Sequence, residues 1–128
     1  MSLIKKIKDK KVNFEFNKEY LKVVTSKITN NDAQFITNSF NGMHPADAAD
    51  IIELLGQNDR ENLIKLNNFN IDPEVFIELN ESVQSEIIAY LSSDSIVKLL
   101  KNLESDDAIA ILENVDEKDK NDILSSLP

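Results

Sequence analysis

Cut every twelve residues from His44, the chain reads HPADAADIIELL (44–55), GQNDRENLIKLN (56–67), NFNIDPEVFIEL (68–79), NESVQSEIIAYL (80–91), SSDSIVKLLKNL (92–103), ESDDAIAILENV (104–115) and DEKDKNDILSSL (116–127). Seven units align without a gap. Their eighth position holds Ile51, Leu63, Val75, Ile87, Leu99, Ile111 and Ile123; their ninth holds Ile52, Ile64, Phe76, Ile88, Leu100, Leu112 and Leu124; their twelfth holds Leu55, Asn67, Leu79, Leu91, Leu103, Val115 and Leu127. Twenty of these twenty-one residues are apolar in a chain that is 41% hydrophobic, where chance would give about nine. Asn67 is the sole break.

Apolar residues at spacings of one, three and four trace one stripe of a helix, and an apolar fifth position, as at Ala48, Ile96 and Ala108, extends it. Twelve residues must hold a helix and its turn, which leaves about eight helical residues, or about 12 Å of helix. Isolated helices this short are marginal in water, so each unit must hide its stripe against its neighbours. Short antiparallel helices then form 24-residue hairpins, and the hairpins stack into a curved array. The expected fold is all-α.

The junctions carry start signals. His44-Pro45 and Asp72-Pro73 place proline at a first helical position, Asn58 with Glu61 reads as a capping box, and Ser93, Ser105 and Asp116 are candidate N-caps. Upstream, Leu21, Val24 and Ile28, followed by Ile36, Phe40 and Met43, predict two further helices that cap the array.

Charge bounds the partners. The net charge is −9, but five lysines against Asp9 give residues 1–12 a charge of +4 and leave −13 on 13–128. Such a body repels phosphate backbones, so a nucleic-acid partner is not expected. The leader, residues 1–15, reads as solvated or weakly ordered, without the broad apolar face of a membrane-seeking helix. No apolar run approaches the roughly 20 residues needed to cross a bilayer, so no direct membrane insertion is expected of this chain. Cysteine is absent, which removes thiolate zinc sites and cysteine nucleophiles. His44 is the only histidine and occupies a helix start, and the two glycines build no phosphate loop. The aromatics do not alternate with basic residues and read as core. No catalytic constellation emerges, so the chain is read as non-enzymatic. Carboxylates remain, and most are explained by the favourable position of acids in a first helical turn.

HPADAADIIELL at 44–55, followed by acidic-apolar units and ESDDAIAILENV at 104–115, resembles the cytosolic N-terminal domain of MgtE-type magnesium transporters, whose repeats open on HPAD and later carry a DPDDAADLLEEL-like segment. The resemblance covers about residues 20–128. It implies a right-handed superhelix of short antiparallel helices, similar to armadillo and HEAT repeats, on the cytoplasmic side of the cell membrane. It further implies that residues 16–128 are one regulatory domain of a longer transporter. There, Mg2+ bound to surface acids gates transport by packing this domain against a CBS domain of the same chain in a homodimer. Carried over by motif, the metal ligands are Asp106, Asp107 and Glu74. Where many family members have another aspartate four residues after the first, this chain has Ala110. The implied Mg2+ binding in the domain alone is weak, because Mg2+ commonly takes one or two carboxylates and keeps several waters. The alternative reading is a non-catalytic protein-interaction scaffold similar to flagellar motor switch proteins, since helical superhelices also serve contacts alone.

Overall fold

A computed structural model describes residues 18–66, 69–113 and 115–126. The basic leader therefore lies outside the described residues, as do Asn67 and Leu127. Among the described residues there are nine helices and no strand. Residues 18–29 form α1, followed by α2 (Ala33–Asn41), α3 (Pro45–Leu54), α4 (Gln57–Ile64), α5 (Pro73–Glu78), α6 (Glu81–Tyr90), α7 (Ser93–Lys101), α8 (Ser105–Glu113) and α9 (Glu117–Ser126). From α3 onward each helix occupies one twelve-residue unit.

The stripe is the core. All seven residues at the eighth position are at most 5% exposed, and of the ninth-position residues Ile52, Ile64, Phe76, Ile88 and Leu100 are buried. Leu112 is half-buried and Leu124, in the last unit, is 51% exposed. Inner units are covered on both sides, and the last is not. The strongest inter-helix contacts run from α3 to α5, from α4 to α6 and from α7 to α9. This step of two elements is what stacked hairpins require, because each helix leans on its counterpart one hairpin away.

The twelfth residue has two jobs. Leu55, Leu79 and Leu91 each leave the helix in an extended conformation, with ψ of 149°, 149° and 146°. Their N–H groups still bond back to carbonyls of the finished turn, Leu55 to Ile51 and Ile52, Leu79 to Phe76, and Leu91 to Ile87 and Ile88. Leu55 and Leu79 are buried, so the same residue that ends the helix plugs the core. The next residue is also extended and caps the following helix. Asn80 accepts from Val83 N–H at 2.9 Å, and Ser92 accepts from Ser95 N–H at 3.2 Å. At the first unit His44 Nδ1 accepts from Ala46 N–H at 3.1 Å, with Pro45 opening the helix as expected.

Three expected start signals shift. Ser92, not Ser93, caps α7, and Ser105 is the first residue of α8 rather than its cap. The capping box does not form: α4 starts at Gln57 after Gly56, with no side-chain cap, and Glu61 pairs instead with Lys65 one turn on at 3.3 Å. The helix starts at the second position of its unit, as α3 and α6 do, and Arg60 joins that start to α3. Its backbone N–H makes the first helical bond, to Gly56 O at 2.9 Å, and its side chain crosses to the end of α3. There Nη1 donates to the carbonyls of Ile52, Glu53 and Leu55 at 3.2, 3.2 and 2.9 Å, while Nε and Nη2 grip both oxygens of Glu86 at 2.7 and 3.0 Å. One guanidinium thus caps α3 and ties α4 to α6. Gln84 repeats the capping half of this device 24 residues later, with Nε2 donating to Phe76 O at 2.9 Å. Arg60 and Gln84 both occupy the fifth position, and Ile52 and Phe76 both occupy the ninth.

The unit containing Asn67 departs from the pattern. α4 and α5 are separated by residues 65–72, whereas every other junction holds only two or three residues. Leu66, one residue before the break, is buried. α5 then starts one turn late, because Asp72 accepts from Glu74 N–H at 2.9 Å and Pro73 fixes the first turn, leaving six helical residues. The two upstream helices form as expected, with Val24, Ile28 and Ile36 buried. Asn31, at φ 57°, turns the chain between them, a left-handed conformation that asparagine tolerates.

Two stability outcomes follow from these contacts, both checked by urea unfolding. Arg60→Ala leaves Glu86 and three carbonyls without their partner and is expected to cost about 3 kcal/mol, whereas Lys65→Ala at the exposed pair costs about 0.5 kcal/mol or less. The Arg60 pair lowers the pKa of Glu86 from its ordinary 4.5, chiefly through the hydrogen bond from Arg60. Its contribution is therefore present above pH 4.5 and lost as pH falls through the lowered value. Phe76→Ala should cost about 3–5 kcal/mol and Leu124→Ala less than about 1 kcal/mol, and equal losses would contradict a stack with a covered interior and an open end.

Candidate functional site

The three expected ligands all lie where helices begin. Glu74 is in the first turn of α5 and is exposed; Asp106 and Asp107 are in the first turn of α8, the former exposed and the latter half-buried. Successive residues on a helix point about 100° apart, so Asp106 and Asp107 do not face one ligand together as a flat pair. Ala110, one turn beyond Asp106, is exposed and supplies no carboxylate there. None of the three acids makes an ion pair among the described residues. Glu74 and Asp106 are open to solvent and to an incoming cation.

The structure does not gather them. Among the described residues no three side chains of histidine, aspartate or glutamate converge into a group that could hold a metal ion. Glu74 and the α8 pair belong to different hairpins. Taken with the donor chemistry, this fits a hard cation only as a partial shell: one or two carboxylates from this domain, with water or another protein surface supplying the rest.

An acid whose pKa is raised lies elsewhere, on α3, near Glu78 of the helix stacked against it. Asp50 has its pKa raised from 3.8, first by partial burial and then by the negative charges of Glu53, Asp47 and Glu78. Asp50 remains an exposed residue, so solvent screens the effect. Glu53 is partly committed, accepting from Asn80 N–H at 2.9 Å. The spacing of Asp47, Asp50 and Glu53 along α3 was visible in the sequence; the approach of Glu78 required the α3–α5 stack. His44 is a helix cap. Phe76 is fully buried, and Phe40 meets Phe69 edge to face with centroids 6.4 Å apart, so these aromatics pack.

A family model described as the MgtE intracellular N domain matches residues 43–128. The chain belongs to this family. The match opens on Met43, immediately before the first repeat unit, so it spans the periodic array; α1 and α2 precede it, although the resemblance extended to about residue 20. Membership makes the chain a cytosolic domain of a magnesium transporter, a regulatory domain type and not an enzyme family. No helix among the described residues is long and apolar enough to cross a membrane. No curated protein and no solved structure matches the chain.

Asp50 provides an electrostatic check on this acidic face. A raised acid pKa means that the group favours folding below its unfolded pKa and loses that contribution as pH rises through the folded value. At neutral pH, Asp50→Asn is therefore expected to raise the melting temperature by about 1–2 °C at low salt. The gain should shrink in concentrated salt and vanish near pH 3. An unchanged or lowered melting temperature at pH 7 would show that Asp50 is not under net repulsion.

Proposed function

We propose that this domain senses Mg2+ for its transporter through Asp106, Glu74 and Asp107, and regulates transport by packing against a CBS domain of the same chain. The match to the MgtE intracellular N domain over residues 43–128 carries the reading. The exposure of Glu74 and Asp106, and the absence of a closed cage of acids among the described residues, supports a site completed by a second surface.

The physics requires several ions. Two acidic domains repel, and a shared divalent ion replaces repulsion with bridging. A like-charge pair at about 4 Å costs only about 1 kcal/mol in water, so one pair is too weak to switch a channel. Ions that bind only the packed state add their linkage free energies and shift the population toward it. High cytosolic Mg2+ then favours the compact, closed state of a homodimeric transporter. The acids around Asp50 add to the field that concentrates cations near the surface.

Because this domain offers only part of each shell, calorimetric titration of the 128-residue chain with MgCl2 should give dissociation constants in about the millimolar range. In the chain joined to its CBS domain, Mg2+ should raise the melting temperature, and Asp106→Asn combined with Glu74→Gln should remove most of that rise. Micromolar binding by the lone domain would overturn the shared-shell reading. So would Mg2+-dependent stabilisation of the joined protein that survives the double substitution.

A further inference from the structure

Two large apolar side chains that the stack leaves uncovered, Leu54 and Ile77, are 53% and 41% exposed and lie on α3 and α5, helices packed directly on each other. Ile77 takes the tenth position of its unit, as Glu53 does two units earlier, and Glu78 takes the eleventh, as Leu54 does. Across the stack, each apolar residue therefore has an acid at its own position in the other helix. Asp50 and Asp47 precede Leu54 by one and two turns and are exposed. Neither helix contains a lysine or arginine. Burial, and then the charges of Glu53, Asp47 and Glu78, raise the pKa of Asp50, so the acids of both helices share one field. Arg60, at the start of α4, is already committed to Glu86 and to the carbonyls of α3. By contrast, exposed Val23 follows Lys22, and exposed Leu124 lies one turn after Lys120.

The chain contains one segment of the opposite character. Residues 1–12 carry +4, and Leu3, Ile4 and Ile7 recur among Lys5, Lys6 and Lys8 at spacings of one and three, the pattern that marks a helix stripe in the repeats. That segment offers the cations that α3 and α5 lack, together with apolar groups to match Leu54 and Ile77. The eleven residues from Ile7 to Lys18 can span at most about 40 Å, several times the 8–10 Å that separates packed helices, so the covalent tether permits the approach. Tethering also holds the segment at an effective concentration of about a millimolar, at which even a weak contact is populated without any other molecule.

We propose that residues 1–12 dock on the outward face of α3 and α5, with Leu3, Ile4 and Ile7 covering Leu54 and Ile77 and the lysines facing Asp47, Asp50 and Glu78. The docking does not rest on the magnesium reading and uses none of its three acids.

The chain has no cysteine, so Ser2→Cys accepts a single nitroxide spin label. In nuclear magnetic resonance spectra of the isotope-labelled 128-residue chain at low salt, the label should weaken the amide signals of Leu54 and Ile77 at least about twofold relative to the reduced label. The amide of Ile123, in the last unit, should be unaffected. The weakening should fall sharply in about 1 M salt, where the screening length is only about 3 Å, and should be lost when Lys5→Glu, Lys6→Glu and Lys8→Glu are combined. Leu54→Ser with Ile77→Ser, both exposed changes, should remove most of it while the rest of the spectrum persists. Equal weakening along the whole array, or weakening that survives the serine pair, would overturn the proposal. So would weakening that arises between molecules, seen when spin-labelled and isotope-labelled chains are mixed. A label that never reaches α3 and α5, on a leader whose own signals vanish when phosphatidylglycerol vesicles are added, would assign the segment to a lipid surface and overturn the docking as well.

Discussion

Everything in this fold depends on helices that are too short to persist alone. With six to ten residues each from α2 to α9, they fall below the length at which an isolated helix is stable in water. Burial of the eighth- and ninth-position residues against a helix one hairpin away supplies what propensity cannot. The twelfth residue makes the arrangement repeatable, because a leucine that both stops the helix and enters the core couples chain reversal to packing. A junction of two extended residues is then enough, and Leu55-Gly56, Leu79-Asn80 and Leu91-Ser92 adopt nearly the same backbone.

Polar groups enter the stack only where a helix end needs them. The last carbonyls of a helix lack intrahelical donors, and in a tightly stacked array water reaches them poorly. Arg60 and Gln84 answer this from the same repeat position, one with a guanidinium and one with an amide. Arg60 does more, because its fork also binds Glu86 and fixes the second hairpin to the first. At the corresponding place in the next hairpin stands Ala108, and no such bond is possible there. The device is therefore confined to the part of the array next to the upstream helices.

The apolar period announced the number of helices after His44, their approximate length and the buried face, because these follow from residue type and spacing alone. Pro45 and Pro73 marked helix starts correctly, since proline constrains the backbone locally. Asn58 and Glu61 misled because capping signals compete with the repeat, whose register starts α4 at Gln57, the second position of its unit, as in α3 and α6. The role of Arg60 is a tertiary fact: a charged residue at a position that is polar in four of the seven units reads as a surface residue until the end of α3 is known to lie beside it. Likewise Asn67 announced a break in the stripe, but not the eight-residue junction. For the acids, sequence supplied Asp106, Asp107 and Glu74 through family resemblance. It could not show that Asp50 is partly buried in the stack and lies within reach of Glu78 on the neighbouring helix.

A stack built by nearest-neighbour contacts also constrains how such a domain could transmit a signal. Each hairpin touches chiefly the next, so a change at one end reaches the other only by altering successive interfaces, each packed at core density. Those interfaces are apolar and closely filled, and they resist gradual bending. The carboxylates, by contrast, sit outside the seam, at helix starts, where their charges cost little to expose and do not enter the packing. Binding a cation at such positions leaves the stripe untouched. Under the proposed function, the domain would therefore act as a stiff body whose orientation against a neighbour is set by surface charge, rather than as a spring that deforms within. The junction between α4 and α5 is the exception, for there the step from one helix to the next is longer than the two or three residues found elsewhere.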